Sequence, residues 1–262
     1  PNRGAPRLGL FATRSTERQS MPGDVQPTEA QAARAERCGA ILRRRQVPAC
    51  GEPLYAEDDG RVVLRTPAEV ARRALVLLAV VQRAEAAPRD MVLKRIGKLK
   101  LWDAVSPSEM SFLQCEVPDE PQSRRLVWRL ECIWVLMWAL GHVEELGWPT
   151  GMCDVPRLGR MLHPKKGIAH LVGRARLRPK AEILDALDLT MRFHGAIRDA
   201  RKAGRPLPAN LDWSQPEAMV PPEECPAGNI VPERLRALCW LTRFREADWD
   251  DLENQGEVSG EW

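Results

Sequence analysis

The sequence predicts an all-α fold: one compact multi-helix domain built around a central, tryptophan-rich helix, with room for one short β-hairpin. Three observations carry this. The run CIWVLMWALG at 132–141 is apolar nearly all round, the mark of a helix in the middle of a core. Capping boxes recur at Thr28–Gln31, Thr66–Glu69 and Ser106–Glu109. In each, a hydroxyl accepts an orphan backbone N–H and the acid or amide three residues on reaches back to the cap. Apolar residues then follow at steps of three and four, as in Val70, Ala74, Leu77, Leu78 and Val81.

In chain order, the same reasoning predicts helices over 28–46, 66–86, 88–100, 106–115, 123–146, 154–162, 179–203 and 232–245. For 123–146, Ser123 is the candidate N-cap and Gly147-Trp148-Pro149 the stop. Arg129 and Glu131 before the apolar run and His142, Glu144 and Glu145 after it leave the stretch short of the roughly 20 residues a membrane span needs, so no membrane is expected. Strand character is confined to 52–65, where Asp58-Asp59-Gly60 could turn a hairpin into Arg61–Leu64. Residues 205–230 are rich in proline and polar groups and read as a long surface loop. Residues 28–252 are expected to form the domain. Residues 1–27 read as a disordered leader in which Met21 is a candidate start, and 253–262 as an acidic tail.

With 262 residues, 44% hydrophobic and 29% charged, the chain can bury a sizeable core. The net charge of +3 demands neither nucleic acid nor a membrane surface. Charge is uneven along the chain. Arg157–Arg205 holds thirteen Lys and Arg against four acids, and Glu246–Glu261 holds seven acids and no base. The basic stretch lacks the aromatic interleaving of a single-strand binder, which argues against nucleic acid. Seven cysteines at long gaps include no Cys-x-x-Cys pair, so a zinc ribbon is not written here and a reducing, cytoplasmic setting is expected. The spacing of His142, His163, His170 and His194 matches no histidine metal site. No cofactor is expected.

Several sets of residues are candidate sites. Asp185, Asp188, Arg192 and Asp199 follow helical steps and share a face, and Arg198, also a candidate binding residue, lies on another face with His194. The face reads either as a solvated ion-pair stripe or as an acidic patch for a cation or a basic partner. Trp134 and Trp138, one turn apart, could line a pocket. His194 reads as a satisfied core residue or as a general base. Glu131, among Trp128, Cys132 and Trp134, must pair or shift its pKa, and Arg198 or Arg234 is the expected partner. Glu233-Arg234 and Asp248-Trp249-Asp250-Asp251 are the next places to look, with Trp249 expected to dock.

Several stretches together, in order and spacing, resemble the bacterial domain of unknown function family 4272. These are TPAEVARRAL at 66–75, LWDAVSPSE at 101–109, WRLECIWVLMWALG at 128–141 and CDV at 153–155. ARLRPKAEILDALDL at 175–189, RFHGAIRDAR at 192–201, VPERLRALCWL at 231–241 and ADWDD at 247–251 follow. The resemblance covers roughly 30–252 and implies a compact helical domain, with no activity attached. Gly195 after His194, and Leu235-Arg236, stand where the family pattern is more aromatic. No phosphate loop, nucleophile elbow or dinucleotide fingerprint is present. The expected function is therefore a non-enzymatic interaction domain, one form being an immunity-type partner that neutralises another bacterial protein. The alternative is an enzyme using Glu131, Asp188 and His194 around a Trp-lined pocket.

Overall fold

The computed structural model describes residues 26–49, 55–162, 171, 173 and 176–252. The leader through residue 25, the tail at 253–262, and His163 and His170 lie outside the described residues. The fold is all-α. Its helices are α1 (Glu29–Arg44), α2 (Pro67–Ala84), α3 (Arg89–Lys98), α4 (Pro107–Gln114), α5 (Glu120–Val127), α6 (Arg129–Ala139), α7 (Val155–Met161), α8 (Lys180–Lys202) and α9 (Ala227–Leu241). Helix α6 packs against α2 on one side and α9 on the other; α9 also packs on α8, and α8 on α1. The main core lies where α2, α6 and α9 meet. A smaller one gathers Phe193, Ile197, Leu207, Leu211 and Val231.

All three capping boxes form, with Thr28, Thr66 and Ser106 each accepting from the backbone three residues on. Pro67 and Pro107 occupy the first helical turn, where a missing N–H costs nothing.

The expected helix 123–146 is instead two helices. α5 begins after Asp119, which accepts from Gln122 N, and Ser123 lies inside it. The ladder breaks at Trp128, where Trp128 N bonds Arg125 O and Glu131 N bonds Trp128 O at 2.9 Å, both short i→i−3 turns. α6 stops at Ala139 because Gly141 adopts φ +76°. Gly141 N then reaches Trp138 O and His142 N reaches Met137 O, both at 2.9 Å. This is a Schellman stop six residues before the expected Gly147. Arg178 seals that end: its backbone N–H donates to Ala139 O at 2.9 Å and its guanidinium to Val143 O, a cation on the negative end of a helix.

Two further corrections concern strands and the last helix. The turn at Asp58–Gly60 forms, with Gly60 N donating to Asp58 Oδ1 at 2.8 Å, but residues 55–65 make no strand. Lys180 Nζ takes Asp59 O and Val62 O, and Gln31 Nε2 takes Ala56 O. Side chains from α8 and α1 thus satisfy the carbonyls that a ladder would have used. The strand pair lies in the expected loop: Leu207–Pro208 runs antiparallel to Met219–Val220. Helix α9 starts five residues before Pro232 and carries that proline inside. Its first turn is closed by Asn229 N and Ile230 N on Pro226 O.

After α9 the backbone is strained. Arg243, Arg245 and Glu246 have φ of 52°, 53° and 53°. The left-handed region costs a non-glycine residue roughly 1–2 kcal/mol. Beyond them Ala247, Trp249 and Leu252 are buried.

Candidate functional site

The helical face carrying Asp185 and Asp188 is a seam rather than a solvated stripe. Helix α1 lies on it. Arg34 Nε donates to Asp185 Oδ1 at 3.1 Å and Arg37 Nη2 to the same oxygen at 2.7 Å. Asp188 is 1% exposed and accepts from Arg192 Nε at 2.7 Å. Burial, with Asp188 next in effect, pushes the Cys38 thiol up to about 12. Asp199 sits about three turns beyond Asp188 and accepts from its neighbour Arg198 at 3.2 Å. The basic partner of Asp185 is therefore α1 of the same chain, and Asp188 and Asp199 pair with arginines of their own helix.

Trp134 and Trp138 are both buried. Trp134 Nε1 donates to Leu146 O at 3.2 Å. The Arg157 guanidinium lies 5.8 Å from the Trp134 ring and that of Arg178 lies 4.9 Å from the Trp138 ring. The two indoles serve the core and its arginine cover.

Buried ion pairs tie the central helices together. Glu131, fully buried, accepts from Arg234 Nε at 2.9 Å and Cys153 N at 2.6 Å, so both its oxygens are engaged. Arg129 Nη1 donates to both oxygens of Glu233, at 2.6 and 2.7 Å. Burial alone would raise the Glu233 carboxyl, but Arg129 and Arg236 beside it hold it below the usual carboxylate range. Arg73 of α2 pairs with Glu109 of α4. The kink at Trp128 places Arg129 and Glu131 at the start of α6, and both reach α9.

Glu131 and Asp188 are held by different groups. Glu131 belongs to Arg234 and the Cys153 backbone, and Asp188 to Arg192. His194 is half-buried, and burial followed by Arg198 and Arg201 lowers its pKa to about 4. The imidazole is thus neutral at neutral pH. The unfolded chain takes up a proton near pH 6.5 and the folded chain near 4, so stability is full above 6.5 and falls as pH drops from 6.5 to 4. His194→Gln is expected to flatten that limb of the denaturation midpoint against pH, and a limb unchanged in slope would contradict this.

A cleft of about 600 Å³ opens beside the start of α2. Arg65, Glu69, Arg72 and Arg73 of α2 and its approach form one wall. Asp103–Pro107, Trp240 and Asp248–Asp251 form the rest. The carboxylate of Asp103 pairs with Arg72, which also donates to Lys100 O at 2.8 Å. Arg65 lies 4.5 Å over the Trp240 ring and donates through Nε to Trp240 O. Asp250 accepts from Ser108 N at 2.9 Å and Ser108 Oγ at 2.6 Å at the start of α4. Burial opposes its charge, yet these bonds and one from Ser106 hold the carboxyl below its usual range, as befits a carboxylate on a helix N-terminus. The floor is Trp249, with Arg73 4.0 Å over its ring and Trp240 edge-on at 6.0 Å.

Sequence reasoning named Asp248–Asp251 as worth inspection and missed Trp102, Asp103 and Ser106. The available signal was the Trp-Asp pairing shared by LWDAVSPSE and ADWDD. Among the described residues, no group of three or more His, Cys, Asp or Glu is placed to hold a metal ion. No helix among them is long and apolar enough to cross a membrane.

No curated protein and no solved structure matches the chain. Residues 34–252 match the family described as Domain of unknown function (DUF4272), a span that takes in the ionic core and all of the cleft, and the chain belongs to that family.

Proposed function

We propose that this chain is a protein-interaction domain and that its binding face is the cleft together with exposed Trp102, the residue before Asp103 of the cleft wall. The observation that carries the reading is Trp102 itself. It is 43% exposed, immediately precedes Asp103 of the cleft wall, and is braced against α3. A β-carbon added at Gly97 would stand 3.5 Å from its Nε1. An exposed tryptophan on a firm support beside paired charges of both signs is the composition of an interface hot spot. The core carboxylates Glu109, Glu131, Glu233 and Asp188 are each bonded to an arginine, which supports a structural role for them. Six described cysteines are free thiols, five of them buried, which supports a reducing, cytoplasmic setting.

The test is affinity capture with the tagged full chain in extracts of its own organism. Trp102→Ala and Asp103→Arg are expected to lower recovery of the specific partner at least about tenfold. Both variants should still unfold cooperatively, and recovery is compared per folded molecule. Undiminished capture by both variants would remove the cleft from the reading.

A further inference from the structure

The segment Ala247–Leu252 is held by the rest of the chain much as a peptide is held by a receptor. Trp249 enters a box made by Arg73 at 4.0 Å, Arg129 at 5.9 Å and Trp240 at 6.0 Å. Asp250 is bound by Ser108 through both backbone and hydroxyl. Ala247 and Leu252 are buried at its two ends. An acidic, aromatic segment thus fills a cationic, aromatic socket built by α2, α4, α6 and α9.

Two features show that this fit is not fully relaxed. The connection from α9 runs through Arg243, Arg245 and Glu246, all in the left-handed region that side chains rarely adopt. Within the socket, Trp249 Nε1 and Arg73 Nε are buried with no hydrogen-bond partner among the described residues.

We infer that Ala247–Leu252 is an exchangeable arm whose socket also accepts the same segment of a second copy of this chain. Exchange keeps every contact in the socket and lets the strained connection extend, which is the condition under which arms swap between copies. The tethered arm competes at an effective concentration on the order of millimolar, so exchange grows with protein concentration. The arm also lines the cleft, but exchange rests on the socket contacts and not on the cleft having a partner.

The experiment mixes two full-length chains, both with Cys50 and Cys115 replaced by Ser. One carries Ser108→Cys and the other Asp250→Cys, so a disulfide joining the two positions can form only between copies. A covalent heterodimer that rises with concentration is expected. It should fall several-fold when Arg243, Arg245 and Glu246 of the Asp250→Cys chain are changed to Gly. Heterodimer no more abundant than with exposed Val117→Cys in place of Ser108→Cys would overturn the inference. A second readout covers failure of the Asp250→Cys chain to fold. A capped, fluorescently labelled ADWDDL peptide should bind the full-length Asp250→Ala chain at least about tenfold more tightly than it binds the parent, in keeping with the loss of a tethered competitor. Its Trp→Ala counterpart should not bind. Equal or absent peptide binding to both chains would likewise overturn it.

Discussion

Glu233→Ala lowers the unfolding free energy by about 3–5 kcal/mol, read by urea denaturation at pH 7. The carboxylate meets Arg129 through both oxygens inside the core, and Cys132 Sγ lies 3.0 Å from it. Deleting it takes the carboxylate away from a guanidinium that is 1% exposed, and the cost is mainly the desolvation of that charge rather than the worth of the pair. Arg129→Met with Glu233→Leu removes both charges and is expected to recover most of the loss. The acid limb follows from the same geometry. The folded carboxyl lies below its ordinary value, so its contribution is full above the ordinary carboxylate range and is lost as pH falls through the folded value. Glu233→Gln should therefore flatten the fall in stability at low pH. A Glu233→Ala loss under about 1 kcal/mol, the scale of an exposed pair, would refute the buried placement.

Leu136→Ala is the second large effect, a loss of about 2–5 kcal/mol. Leu136 is fully buried in α6, the helix that packs against both α2 and α9. The side chains around it belong to opposing helices that cannot all close on the space left behind. The same variant should leave partner capture per folded molecule unchanged, because α6 does not line the cleft. A loss of capture without a loss of stability would make the α6 tryptophans a binding pocket after all.

Helices were legible where the sequence writes local chemistry. The boxes at Thr28, Thr66 and Ser106 act over three residues, and the structure forms each one. The break at Trp128 was not legible, because Val127-Trp128-Arg129 has neither glycine nor proline. The kink is accompanied by tertiary ion pairs from Arg129 and Glu131 to α9. The stop at Gly141 was visible in principle. The later Gly147-Trp148-Pro149 is a stronger local signal, and it hid the earlier one. The failed hairpin has the same origin. Arg61–Leu64 has strand composition, but Lys180, more than a hundred residues away, takes the carbonyl of Val62.

The site was legible only in fragments. Helical spacing put Asp185 and Asp188 on one face, and nothing local says that Arg34 and Arg37 cover it. Arg234 was named as a partner of Glu131 because a carboxylate among tryptophans requires one, and the structure supplies it at 2.9 Å. The cleft joins residues 65–73, 103–107 and 240–251. That meeting exists only once α9 has carried the chain back to the start of α2, where Arg65 N bonds Leu241 O at 3.0 Å.

The most direct test of the binding face is hydrogen–deuterium exchange of the full chain with and without its captured partner. The cleft reading predicts new protection at Trp102–Ser108 and Asp248–Asp251, with Glu131 and the α1–α8 seam unchanged. Protection confined to α1 and α8, with the cleft exchanging as in the free chain, would contradict it.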